Sequence, residues 1–182
     1  MFKTDSCPKK VFILDAEVDG LYGDIFSIGA LVADRETFKI EDSFNVTSRP
    51  AMQAVKEPFV LENVIPPILK DSTMQVIEGG SDILLEQFWA FYLKHKKDCL
   101  IIADFGTPVE AKVFYECIKA RPERTFEGPY PLHELATILL VNNMDPDITR
   151  STFFEDPSLI HSPYWDAMGT LNILKKIYPS GM

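Results

Sequence analysis

Apolar residues along this chain fall into short unbroken runs and into helically spaced sets, and the order of the two predicts the elements. Val11 to Leu14 are four consecutive apolar residues that run straight into Asp15-Ala16-Glu17. A run that short, without helical spacing, suits a central strand buried on both faces. Ile25 to Asp34 predicts a second buried strand, and Phe38 to Val46, which alternates more clearly, a third. The turn Asp34-Arg35-Glu36-Thr37 would close an antiparallel hairpin between them. Pro50, Pro58, Pro66 and Pro67 break up Ser48 to Gly80, where short helical turns and loop are expected over one edge. Ser81 to Lys97 predicts a helix, with Ile83, Leu84, Phe88, Phe91 and Tyr92 at helical spacing and Ser81 as its N-cap.

Cys99 to Ala103 predicts a further strand ending at Asp104. After the turn Phe105 to Pro108, a helix is expected from Pro108 or Val109 to about Ala120. Arg121 to Tyr130 reads as a linker with room for one short strand, Leu132 to Val141 as a helix, and Asn142 to Ile160 as a polar irregular loop. Ser162 as N-cap and Pro163 at the first helical position open a last helix that runs to about Ile177. Strands first, then helices alternating with strands, give a mixed α/β domain spanning 1–182 rather than a doubly wound parallel sheet.

Composition narrows the partners. The chain has 182 residues, 46% apolar and 25% charged, with a net charge of −9. Such an acidic chain is not built to grip long duplex nucleic acid through a broad basic surface. A pocket that holds a few nucleotides on metal ions stays open, because the ions supply local positive charge. Cys7, Cys99 and Cys117 are widely spaced and odd in number, which predicts a reducing, cytoplasmic compartment. Met1 to Pro8 lacks the apolar core of a signal peptide, and no apolar run approaches membrane-spanning length, so no membrane partner is expected.

The candidate chemistry is acidic. Asp15 and Glu17 emerge on one face of the first strand, where its buried run ends. Side by side, they repel unless something cationic lies between them, and a divalent metal meets that need. Asp-x-Glu by itself is common, and on its own it reads first as the solvated end of a strand. Further carboxylates stand at Asp104 or Glu110, after the later strand, and at Asp166 inside the last helix, with His161 five residues ahead of it. Together these are the inventory for two-metal phosphodiester hydrolysis, with a histidine to take the proton of the attacking water.

With those residues in place, the chain resembles the DEDDh branch of the DnaQ-like 3′–5′ exonucleases, which includes proofreading subunits, RNase T and oligoribonuclease. Phe-Ile-Leu-Asp15-Ala-Glu17 followed by Ile28-Gly29-Ala30 matches the first motif, and His161 with Asp166-Ala167 matches the third. The second motif departs, with Glu110 where the family has Asp; Asp104 is the alternative. The resemblance implies an RNase H-like exonuclease fold with a five-stranded mixed sheet flanked by helices. It implies two Mg2+ or Mn2+ ions on Asp15, Glu17, Glu110 (or Asp104) and Asp166, and His161 as general base. It places the backbone of Ala16 and Val18 near a terminal nucleotide, and makes Phe105 and Trp165 candidate stacking residues. The implied partner is the 3′ end of single-stranded nucleic acid, RNA mildly preferred over DNA, with homodimers common at this size. The departure at Glu110 keeps a second reading open, a binding module with a weakened site. A third reading, an acidic surface for a basic partner, leaves the spacing of His161 and Asp166 unexplained.

Overall fold

In the computed structural model, which describes residues 7–182, the run at Val11 becomes the middle of β1 (Lys10–Val18). Residues 1–6, the start of the stretch expected to lack a leader, lie outside the described residues. β1 runs antiparallel to β2 (Ile25–Asp34) on one side and parallel to β5 (Cys99–Ala103) on the other. Both its faces are covered, which is why its apolar run is continuous. Phe12, Leu14, Ala16 and Val18 pack beneath α3 (Ser81–His95) and α4 (Val109–Ala120). Val11 and Ile13 pack on the opposite side against α5 (Leu135–Val141) and α6 (Pro163–Ile177). Each valine, leucine, isoleucine or phenylalanine among them contributes roughly 1.5–3 kcal/mol on full burial.

Among the described residues, with β3 at Ile40–Ser48, β4 at Gln75–Ile77 and β6 at His133–Glu134, the sheet has six strands in the order β4-β3-β2-β1-β5-β6, one more than the five expected. The addition is β4 (Gln75–Ile77), three residues paired in parallel with the end of β3 (Ile40–Ser48). A run that short leaves no periodic signal. β6 (His133–Glu134) lies just beyond the linker that had room for it, and its extended backbone delays α5 to Leu135. β1, β2 and β3 form the expected antiparallel meander, and the Asp34 carboxylate accepts from the Thr37 N–H at 2.7 Å to close the hairpin.

Between β3 and β4 come the expected short turns: α1 (Arg49–Gln53), a π-helical turn at Val60–Val64 and α2 (Ile65–Lys70). They close a third apolar cluster around Phe26. Ser81 is not the N-cap of α3. Gly80 holds that position, and the Ser81 hydroxyl donates to the Ile25 carbonyl at 2.7 Å instead, tying the helix to β2.

Candidate active site

Gly29 decides how closely the last helix approaches the sheet. It lies opposite Asp15 across the β1–β2 ladder. A Cβ at Gly29 would overlap the Tyr164 amide nitrogen and the Pro163 carbonyl carbon, so a larger residue would push the first turn of α6 away. Asp15 and Glu17 share the face of Val11 and Ile13, the face α6 covers, and Asp166 lies in that helix's first turn. The start of α6 is anchored separately. Buried Ser162 donates to Asp71 Oδ2 at 2.8 Å, and Asn45 donates to the same oxygen at 2.9 Å. Burial pushes the Asp71 carboxyl up, but bonds from Thr73, Asn45 and Ser162 outweigh it and hold it below its ordinary value. Ser162 therefore occupies the N-cap position, while its side chain bonds across to Asp71 rather than to the helix's own amides.

His161 has a φ of 71°, a left-handed backbone uncommon outside glycine. Its amide faces the Asp166 carboxylate and favours the charged form. A ring nitrogen of His161 and one oxygen each of Glu17 and Asp166 lie within 4.8 Å of one another. The Phe59 ring meets the imidazole edge-on at a centroid distance of 5.9 Å. Burial lowers the His161 pKa below 6.5, so the ring is neutral near pH 7.

Glu110 approaches from the first turn of α4 and is 8% exposed. Burial raises its pKa to about 7, with Asp104 adding repulsion, while its own amide and that of Ala16 pull the other way. Burial likewise lifts Asp166 to about 8, with Asp104 and Glu110 contributing. Asp15 and Glu17 are pushed well above the ordinary carboxylate range, first by burial and then by the charge of Asp166 and its neighbours. Among the described residues no lysine or arginine pairs with any of these four. Four recessed carboxylates and a neutral imidazole, held together without a cation, form a donor set that fits hard divalent ions.

Asp104, the alternative to Glu110, is engaged elsewhere. Arg150 forks onto its two oxygens at 2.7 and 2.9 Å. Asp104 and Glu110 both line a cavity of about 440 Å³ that also takes in Asp15, Ala16, Glu17, His161 and Asp166. Phe105, 49% exposed, stands on its wall. Val18 lines instead an adjoining apolar cavity of about 510 Å³, walled by Leu21, Phe59 and Val60 and joined to the first through Ala16, Glu17 and His161. Trp165 lines neither. Its ring packs edge-on against Tyr164, 5.4 Å between centroids, with the indole Nε1 buried and unpartnered. Sequence reasoning missed Arg150, Leu21 and Phe59. Arg150 carried no local signal within an irregular segment, and the other two were ordinary apolar residues in loop until the cavities formed around them.

No protein-family model matches the chain, and no curated protein matches its sequence. Among solved structures, the chain is similar to the nuclease domain of 3'hExo, described as a DEDDh family member bound to rAMP. The TM-score is 0.55 at 13% identity, covering 97% of this chain and 95% of that one. It is also similar to a 3'-exonuclease described as recognising the 3' end of a histone mRNA stem-loop, with a TM-score of 0.50 and 13% identity. That match covers 96% of this chain and 65% of the other. The fold is therefore the RNase H-like exonuclease fold, here with six strands.

Proposed function

We propose that the protein is a metal-dependent 3′–5′ exonuclease of the DEDDh type, releasing nucleoside monophosphates from single-stranded nucleic acid, RNA in preference to DNA. The observation that carries this reading is the convergence of Asp15, Glu17, Glu110 and Asp166, none paired with a cation among the described residues, on a cavity that also receives His161. Two divalent ions, Mg2+ or Mn2+, held by those carboxylates would supply the Lewis acidity that activates water and stabilises the leaving oxygen. His161, kept neutral by burial, accepts the proton of the attacking water. Its left-handed backbone and the contact of its amide with Asp166 fix where the ring stands.

The adjoining apolar cavity gives a terminal base a place beside the imidazole, with Leu21 (62% exposed) and Phe59 (56%) as faces to stack on. An unpaired base can enter such a cavity, and a base held in a duplex cannot. The net charge of −9 also favours short or already single-stranded substrates. That one of the two similar structures holds rAMP and the other recognises an mRNA 3' end supports RNA. Glu110 in place of the expected Asp supports one second reading, a nucleotide-binding module with weakened catalysis.

The test is a time course on a 5′-labelled single-stranded RNA and a DNA of the same sequence, with Mn2+, Mg2+ or EDTA, and with the Asp15→Ala protein as control. A ladder shortening from the 3′ end, absent in EDTA and in the variant, is the expected result. Intact substrates with folded protein that Mn2+ still stabilises would move the reading to the binding module.

A further inference from the structure

Arg150 is the sole lysine or arginine on the wall of the acidic cavity among the described residues. It comes from the irregular segment between α5 and α6, yet its pose is tightly defined. Nε and Nη2 donate to Asp104 at 2.9 and 2.7 Å, and Nη2 and Nη1 also donate to the carbonyls of Pro146 and Ile148 at 2.8 and 2.5 Å. A guanidinium has five N–H donors. Among the described residues the second Nη1 hydrogen has no partner, and the planar group stands 5.1 Å from the centre of the half-exposed Phe105 ring. Asp104 places a further carboxylate beside the crowded four and repels them, and Arg150 is the cation set against it.

We propose that Arg150 binds a phosphate of the substrate on the 5′ side of the scissile bond, with Asp104 as the positioning residue that fixes its plane. The assignment rests on the exonuclease reading. When a 3′-terminal nucleotide is removed, the scissile phosphate leaves with it, so every other phosphate lies on the 5′ side. Ions held by the four carboxylates would act at the scissile group. The next phosphate finds one protein cation on the cavity wall, and Phe105 beside it offers a face for the base attached there.

The experiment compares wild type, Arg150→Gln, Arg150→Lys and Asp104→Asn on two substrates, each protein also being melted with and without Mn2+. One substrate is a single-stranded oligoribonucleotide, and the other is the p-nitrophenyl ester of thymidine 5′-monophosphate, which carries the scissile phosphate alone. For Arg150→Gln the KM for the oligonucleotide is expected to rise about 10- to 100-fold, the scale of a lost charge-assisted hydrogen bond. That loss should exceed the loss on the ester by about tenfold or more, with Arg150→Lys recovering part of it and Asp104→Asn showing a smaller rise. All variants should keep the Mn2+ shift in melting temperature. Equal falls in kcat on both substrates would make Arg150 a staple for its segment and overturn the assignment. Unchanged kinetics on both, or loss of the Mn2+ shift in Asp104→Asn, would overturn it too. A wild-type protein inert on both substrates sinks the exonuclease reading and this assignment with it, which is distinct from an active enzyme indifferent to Arg150.

Discussion

Metal-free protein is expected to lose stability as the pH rises through neutrality, and Mn2+ to restore it. Folding moves the Glu110 carboxyl from an ordinary 4.5 to about 7 and that of Asp166 from 3.8 to about 8. The folded chain therefore holds these protons more tightly than the unfolded chain. The resulting stability is fully present below about pH 4 and is lost as the pH climbs through 7 to 8. At about 1.4 kcal/mol per unit, the Glu110 shift alone corresponds to about 3 kcal/mol. Part of the Asp166 shift is the same mutual repulsion, so about 3 kcal/mol is the scale taken for the cleft. His161 acts in the opposite sense, since its lowered pKa adds stability above 6.5 that is lost on acidification. Carboxyls held low elsewhere, such as Asp71, lose their contribution only below the ordinary carboxylate range, so pH 5 to 8.5 isolates the cleft. For a chain of this length the expected fall in melting temperature is about 6–12 °C. The assay is thermal melting by circular dichroism in EDTA at fixed ionic strength, repeated with Mn2+. Mn2+ at about a hundred times its Kd should return about 2.7 kcal/mol, and more of it at high pH, where protons no longer compete. Asp15→Asn should melt above wild type in EDTA at pH 8 and gain little from Mn2+. A melting temperature flat or rising with pH in EDTA would refute the crowding of these carboxylates.

Three substitutions probe the supports of the cleft. Gly29→Ala forces a methyl group into the backbone of Pro163 and Tyr164 and should cost about 3 kcal/mol, read as a lower melting temperature together with lost activity. Ser162→Ala removes a donor from buried Asp71 and should destabilise by about 1.5–3 kcal/mol in a urea titration. His161→Gln should lower the nuclease rate by about 10²- to 10⁴-fold while the Mn2+ shift in melting temperature persists, since the carboxylates remain.

What the sequence disclosed were the features with local causes. The continuous run Val11 to Leu14 and strand alternation placed Asp15 and Glu17 on one face, and Ser162-Pro163 marked the start of α6. Glu110 was legible because its helix opens just after a strand. The rest depended on distant partners. Arg150 meets Asp104 across 46 residues and Ser162 meets Asp71 across 91, and no local pattern encodes either pair. Gly29 gains its meaning only once α6 lies on β2. Trp165 adjoins Asp166 in sequence, yet neighbours on a helix point about 100° apart, so the turn that carries Asp166 to the cavity leaves Trp165 packed against Tyr164.

The measurement that bears most directly on the central claim is the identity of the product released in heavy-oxygen water. Single-stranded RNA incubated with the protein and Mn2+ should yield nucleoside 5′-monophosphates carrying one heavy oxygen on phosphorus, by mass spectrometry, while the polymer shortens from its 3′ end. EDTA and Asp15→Ala should each abolish them. Intact RNA beside folded, Mn2+-stabilised protein, or products ending in 3′ or cyclic phosphates, would contradict hydrolysis by water activated between these carboxylates and His161.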